Sequence, residues 1–148
     1  MLTLGHCIRG LKGIVVENAP YAEEALSGVF IDSRQVKAGG VFVALRGERE
    51  DGHSYVPQAF AAGARLALIE HDVSADVAVV DLTRPATVAT LPAPACIRVS
   101  STLSALQQLA AYWRGQFPQV RVIGITGSIG KTTTKELAWA VLRRRYRT

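Results

Sequence analysis

An α/β fold is what this sequence predicts, on three observations. Short apolar runs bounded by Gly, Pro and Asp alternate with stretches of helical period along most of the 148 residues. One run, Val41 to Leu45, is apolar at every position, which suits a strand of a parallel sheet covered on both faces. A later run, "VRVIGIT", leads into a glycine-rich loop and then a helix, the strand–loop–helix order of a phosphate-gripping site.

The elements follow in order. Residues 2–11 carry a weak helical period, and residues 13–16 ("GIVV") read as a short strand. Two strands are expected at residues 26–32 and 41–45, joined by a turn at Ala38, Gly39 and Gly40. "YVPQAFAAGA" reads as a helix ended by Gly63. Residues 65–70 and 76–82 are two more strands. Residues 83–94 hold three of the six prolines and no period, so a loop is expected there before a last strand at residues 97–99. Ser100 and Ser101 offer an N-cap to the next helix. In it Leu103, Leu106, Ala110, Trp113 and Phe117 fall at helical spacing, with Leu109 and Tyr112 widening the stripe. Pro118 ends that helix. Residues 120–126 are expected as a buried strand and residues 131–145 as a helix.

This order places a domain boundary near residue 100. Residues 1–100 form a small N-terminal α/β domain with a core of its own. Residues 101–148 supply only helix, strand, loop and helix, and a parallel sheet cannot be one strand wide. The second domain is therefore expected to be the start of a P-loop ATPase domain, truncated at residue 148.

Composition excludes several classes. Apolar residues make up 49% and charged residues 20%, as in a globular domain. No apolar stretch is long enough to span a bilayer. The N-terminus lacks the long apolar core of a secretory signal, so a cytoplasmic location is expected. Cys7 and Cys96 form no CxxC, and His6, His53 and His71 show no ligand spacing. Reduced, buried thiols are expected, and a protein-borne transition metal is not. The net charge is +5, and Arg143, Arg144, Arg145 and Arg147 crowd the C-terminus. That tail suits nucleic acid, or a solvated helix end complementing the helix dipole. No aromatic-interleaved patch accompanies it, so the helix end is preferred and no nucleic-acid partner is expected. The oligomeric state is left open.

"GITGSIGKTTTKE" runs from Gly124 to Glu136. Glycines let such a backbone wrap phosphates, and the helix dipole adds positive potential at the same point. Thr126, Gly127, Ser128, Ile129, Gly130, Lys131, Thr132 and Thr133 are the residues expected to bind the nucleotide. Lys131 can reach the outer phosphates and the Thr132 hydroxyl can ligate Mg²⁺, which makes these two the candidate catalytic residues and Thr132 the metal ligand. The usual pattern asks for glycine five positions before Gly130, where this sequence has Ile125 flanked by Gly124 and Gly127. A glycine-rich turn that binds nothing is the competing reading. The apolar run before the loop and the helix after it favour phosphate binding.

At these residues the sequence resembles the Mur ligase family, whose ATP-binding loop reads TGxxGKT. The resemblance extends upstream through "DSRQVKAGGVFVALRGEREDGHSYVPQAFAAGA" and "SALQQLAAYWRGQF". It covers most of residues 26–142, is weak over the first 25 and is absent from residues 83–94. Ser128, "TTTKE" and "ALRGERxDGH" resemble the D-Ala-D-Ala-adding branch more than the branch that adds diaminopimelate or lysine. Glu50 stands where the former often has Phe.

The resemblance implies a three-domain, ATP- and Mg²⁺-dependent enzyme of peptidoglycan synthesis. Its first domain would hold the UDP end of UDP-N-acetylmuramoyl-tripeptide, the central one Mg-ATP, and the third the incoming D-Ala-D-Ala. ATP would phosphorylate the peptide carboxylate, and the amine would attack the acyl phosphate. Carried over residue by residue, Asp32, Ser33 and Arg34 match the family's DSR turn, and Arg46, Gly47, Asp51, Gly52 and His53 match its second loop. These are the candidates for the UDP-sugar side. An Asp–Arg pair bracing its own turn is an equal reading of the first group, and a structural hydrogen-bonding role is preferred for His53. On this reading the 148-residue chain is the N-terminal part of a ligase and inactive alone. The alternatives are a ligase of the diaminopimelate- or lysine-adding branch, a non-catalytic nucleotide or UDP-sugar module, and a nucleic-acid-binding fragment.

Overall fold

The computed structural model describes residues 1–11, 14–16, 22–84, 86–88 and 92–148. They divide into two compact units, Met1–Phe117 and Pro118–Thr148.

The first unit is built on a five-stranded, fully parallel sheet. Its strands are β2 (Val29–Phe30), β3 (Val41–Val43), β4 (Leu66–Ile69), β5 (Ala78–Asp81) and β7 (Ala95–Arg98), in the spatial order β2-β3-β4-β7-β5. Alternation along these strands sends side chains to two separate cores. Val41, Val43, Leu66, Leu68, Ala95 and Ile97 face one side, where α1 (Leu4–Gly10) and α3 (Thr102–Gly115) cover them with Leu4, Cys7, Ile8, Ala105 and Leu109. Phe42, Ala44, Ala67, Ile69 and Cys96 face the other, under Val56 and Ala59 of α2 (Val56–Ala61). Both faces are covered, which is why Val41 to Ala44 could be apolar throughout and are all buried.

Local chemistry starts and stops the helices. Thr3 caps α1, its hydroxyl accepting from the His6 N–H while the His6 ring accepts from the Thr3 N–H. Proline opens α2 and Gly63, at φ +89°, follows its end. Ser101 caps α3 by accepting from the Ser104 N–H. Burial keeps both thiols protonated, pushing Cys7 up to about 12 and Cys96 up to about 11.

Several expectations need correction. The strands at β2 and β3 are not a turn-linked pair. They lie parallel, and the chain between them crosses through a 3₁₀ turn, Ser33–Gln35, before the turn at Ala38 and Gly39. Residues 83–94 are not wholly loop: β6 (Ala86–Val88) lies among them and pairs in parallel with β1 (Ile14–Val16) in a separate two-stranded sheet. Gly13 and residues 85 and 89–91 lie outside the described residues. On α3 the fully buried side is Thr102, Ala105 and Leu109, while Leu103 and Ala110 of the expected stripe are exposed. Polar Thr102 occupies a core position because its hydroxyl is satisfied by tertiary partners. The helix expected to open the second domain packs on α1 instead, with Arg9 Nε donating to the Tyr112 hydroxyl at 3.0 Å. The first compact unit therefore runs past residue 100 to Phe117.

In the second unit α4 (Lys131–Leu142) forms as expected. The strand expected at residues 120–126 does not. Among the described residues no strand pairs with it, and Val122 and Ile123 are exposed. Without a ladder partner and a covering layer an apolar run has nothing to make it a strand. No residue of α4 is buried. No helix among the described residues is long and apolar enough to cross a membrane.

Candidate functional site

Ligand crevices in open parallel sheets lie outside the carboxyl ends of the strands. The first unit has such a cleft, of about 620 Å³, where the chain leaves β2 and β3. Its apolar lining comes from Phe42 and Leu45, with Ile31 exposed at the mouth. The loops that follow β2 and β3 supply its polar rim.

The first is the 3₁₀ turn after β2. Asp32 caps it, accepting from the Arg34 N–H at 3.0 Å. The same carboxylate takes Arg34 Nε at 2.9 Å and Nη2 at 2.8 Å, a bidentate pair. The Arg34 hydrogen bonds hold the Asp32 carboxyl below its ordinary range. Ser33 is buried, its hydroxyl donating to Gln58 Oε1 of α2 at 2.9 Å. The turn is thus braced on one side and offers Arg34, largely exposed, on the other.

The second loop leaves β3 and closes on itself. Arg46 and Asp51 form an antiparallel bridge, and the Gly47 N–H donates to the Glu50 carbonyl. Asp51 caps the 3₁₀ turn Gly52–Tyr55, accepting from the His53 N–H at 3.0 Å. His53 is 3% exposed. Its Nδ1 lies 2.5 Å from Asp51 Oδ1, and its Nε2 accepts from the backbone N–H of Glu70 at 2.8 Å. Because Nε2 must accept, Nδ1 carries the proton and donates. The Asp51 carboxyl is held well below the ordinary carboxylate range, first by the His53 backbone N–H and then by its ring.

His71 stacks on His53, with ring centroids 4.1 Å apart, and its Nε2 faces Asp51 Oδ2 at 3.2 Å. The two histidines that looked scattered in sequence therefore meet around one carboxylate. Their ligand atoms are close enough for a metal ion. The tautomer opposes it: a metal on His53 Nδ1 would force a proton onto Nε2, against the Glu70 N–H. His71 presents both ring nitrogens to acceptors, the Asp72 carbonyl and Asp51, and both raise its pKa.

Glu70 carries the bracing on to α3. Its Oε1 accepts from the Thr102 N–H at 2.7 Å and hydroxyl at 2.9 Å, and that hydroxyl also reaches the Ala44 carbonyl at 2.9 Å. These bonds hold the Glu70 carboxyl below its ordinary value.

The second unit carries the glycine-rich loop. Gly127 sits at φ +144° and Gly130, immediately before α4, at φ +80°, backbone angles that side-chain-bearing residues avoid. No side chain caps α4, which leaves its first-turn N–H groups directed outward. Lys131 Nζ folds back to the Gly127 carbonyl at 2.5 Å. Thr126, Ser128, Ile129, Thr132 and Thr133 are exposed beside it. A hollow of about 310 Å³ is lined by Ile123, Ile125, Lys131, Thr132 and Lys135, none of them a carboxylate. Left-handed glycines, open N–H groups and a lysine form a cradle that fits phosphate. For Mg²⁺ this hollow offers the Thr132 hydroxyl.

The predicted substrate residues separate into two groups. Asp32, Ser33, Arg34 and Gly47 line the cleft, whereas Arg46, Asp51 and His53 do not: Asp51 and His53 brace the second loop, and the exposed Arg46 bridges to Asp51. The sequence marks Glu50 only as a departure from the family's usual Phe, and it does not single out Tyr55 and Gln58 in the cleft or Glu70, His71 and Thr102 in the bracing as site residues. Of these Glu70 left a signal, a polar residue at the carboxyl end of an apolar strand. The others are brought in by tertiary contacts alone.

A doubly covered parallel sheet with a polar cleft at its carboxyl edge, and in a separate unit a glycine-rich loop before a helix, define the class: an α/β protein. The pattern for "Mur ligase family, catalytic domain" matches residues 25–114, and the chain belongs to the Mur ligase family. It is 40% identical over 141 residues to UDP-N-acetylmuramoyl-tripeptide–D-alanyl-D-alanine ligase of Bacillus subtilis (strain 168), covering 93% of this chain and 26% of that one. It matches the crystal structure of MurF from Acinetobacter baumannii with a TM-score of 0.70 at 32% identity, over 97% of this chain and 28% of that one. It matches MurF ligase from Thermotoga maritima in complex with ADP with a TM-score of 0.58 at 32% identity, over 79% and 23%. Ligases named for adding 2,6-diaminopimelate also match, at 35% and 36% identity. The chain spans about a quarter of the length of the curated relatives it matches.

Proposed function

We propose that this chain carries the substrate-binding domain (residues 1–100, with α3 packed on it) and the ATP-phosphate loop (within residues 101–148) of a cytoplasmic ligase that joins D-Ala-D-Ala to UDP-N-acetylmuramoyl-tripeptide. One observation carries the reading: the Asp32–Arg34 turn and the Gly47–Gly52 loop, which follow two neighbouring strands, converge on one cleft at the carboxyl ends of β2 and β3. Asp32, Ser33, Arg34 and Gly47 contact the substrate there. Arg46, Asp51 and His53 fix the loop that presents it. The relatives named for this reaction support the choice of D-Ala-D-Ala over diaminopimelate.

Residues 126–133 hold ATP. Backbone N–H groups of the loop and of the first turn of α4 receive the phosphates, Lys131 leaves the Gly127 carbonyl to neutralise them, and the Thr132 hydroxyl contributes to Mg²⁺ binding. ATP bound in this way supplies the phosphoryl group that turns a carboxylate into a reactive acyl donor. The chain's own part is positioning and charge neutralisation. Nothing in the hollow beside the loop adds a carboxylate to Thr132, so weak phosphate binding without ligation is expected of these 148 residues.

The test pairs binding with turnover. UDP-N-acetylmuramoyl-tripeptide titrated into the labelled chain should perturb Ser33, Arg34, Gly47 and Gly52, and ATP should perturb residues 126–133. Shifts clustered elsewhere in the first unit would dismiss the cleft. Phosphate release in the presence of D-Ala-D-Ala should come from a full-length ligase that carries these residues, and should vanish with Lys131→Ala. Release that depends on diaminopimelate instead would move the protein to the other branch.

A further inference from the structure

The cleft holds three charged side chains, Asp32, Arg34 and Glu50. The bidentate pair commits both Nε and Nη2 of Arg34 to Asp32. Glu50 forms no salt bridge among the described residues; its Oε2 accepts from the Tyr55 hydroxyl at 2.8 Å. The lining therefore carries an excess negative charge on a carboxylate with one partnered oxygen and one open one. A diphosphate placed here would meet like charge. The rest of the lining suits something flat and uncharged. Ile31 is 60% exposed at the mouth, and Phe42 and Leu45 lie in the floor.

We propose that Glu50 is a specificity-determining residue: oriented by Tyr55, its carboxylate accepts the ring N–H of the uracil end of the ligand, so that the cleft takes this neutral end and leaves the diphosphate outside. The proposal rests on the reading of the cleft as the UDP-muramoyl-peptide site and adds the direction in which the ligand lies. An ionised carboxylate is a stronger acceptor than a neutral oxygen, and its hydrogen bond to a buried ring N–H rejects any ring that lacks that proton. Arg34 Nη1, which takes no part in the pair with Asp32, stands at the same rim as a donor for a ring carbonyl. Tyr55 is a positioning residue here: its hydroxyl fixes Glu50 Oε2, and that hydrogen bond raises the phenol above its ordinary pKa.

The experiment titrates the labelled chain with uridine, 3-methyluridine and UDP, following the amides of Ser33, Gly47 and Gly52. Wild type should bind uridine about tenfold more tightly than 3-methyluridine, which lacks the ring proton. Glu50→Leu should bring the two within about twofold, while Glu50→Gln, which keeps an oxygen acceptor, should retain part of the preference. UDP should bind wild type no more tightly than uridine, and should gain in Glu50→Gln as the repelling charge is removed. Equal binding of uridine and 3-methyluridine by wild type, or a preference that survives Glu50→Leu, overturns the proposal while leaving the cleft as the substrate site. If none of the three ligands perturbs the cleft, the underlying reading fails and the proposal with it. Both variants sit at an exposed residue, and unchanged amide spectra away from the cleft confirm that they fold.

Discussion

The loop at residues 46–52 and the loop at residues 124–130 are both short, glycine-bearing and polar, and they are held in opposite ways. The first is held by residues from elsewhere in the chain. His53 ties Asp51 to the backbone of β4's end, and Glu70 ties that end to Thr102. The second is shaped from within: two glycines at positive φ and a lysine folded onto a carbonyl four residues back. A loop of the first kind inherits the rigidity of the core beneath it, and its geometry fails when the core fails. A loop of the second kind takes its shape from its own backbone, beside a helix none of whose residues is buried.

The sharpest way to break this comparison is Phe42→Ala. Phe42 is 1% exposed under the first loop, and the truncation should cost the first unit about 3–5 kcal/mol. Denaturant unfolding should report the loss. The amides of residues 46–52 should broaden or shift, while those of residues 124–130 keep their positions.

Glu70→Ala cuts the bracing without removing an apolar core side chain. The Thr102 N–H loses its acceptor and the hydroxyl keeps only the Ala44 carbonyl, a cost of about 1–3 kcal/mol. Glu70→Gln retains an acceptor and should cost less. Equal losses from the two would mean that the Thr102 bonds are not what Glu70 contributes.

Gly130→Ala probes the other loop. A Cβ there meets nothing within 4 Å, so the cost is that of the left-handed backbone, about 1–2 kcal/mol. It should appear as faster amide exchange in the first turn of α4, with the unfolding midpoint of the first unit unchanged.

The smallest effect is that of pH on the His71–Asp51 contact, a few tenths of a kcal/mol at an exposed site. The His71 pKa is raised in the folded state, so its contribution is full below the ordinary imidazole value and fades as pH rises through the folded one. The gap in unfolding midpoint between wild type and His71→Asn should therefore narrow on going from pH 6 to pH 9. Asp51 titrates far below this window and stays ionised across it.

The sequence was legible where chemistry is local. The apolar run at Val41, the proline and glycine bounding α2, the Ser101 cap and the loop before α4 each announce themselves through neighbours a few residues away. What stayed hidden depends on partners chosen by the fold. Nothing near residues 86–88 shows that they pair with residues 14–16. Nothing near Thr102 shows that a threonine is to be buried against Glu70. The same cause explains the strand expected at residues 120–126: its apolar pattern is real, but a pattern becomes a strand only beside another strand. In the cleft, Asp32, Ser33 and Arg34 could be named from a motif, whereas the pairing of Glu50 with Tyr55 could not, because it exists only once the second loop has closed.

The placement of β7 has a consequence for synthesis. It lies between β4 and β5 in the sheet, yet it is the last of the three to leave the ribosome. Among the described strands β5 pairs with β7 alone, so β5 waits unpaired while residues 82–94 emerge, and β4 waits with one open edge. Ala95, Cys96 and Ile97, all fully buried, close both at once. A nascent chain halted before residue 95 should present an unsealed apolar edge to chaperones, and one released beyond residue 98 should not. Arrest-peptide force measurements along this interval should show a single step at the arrival of β7.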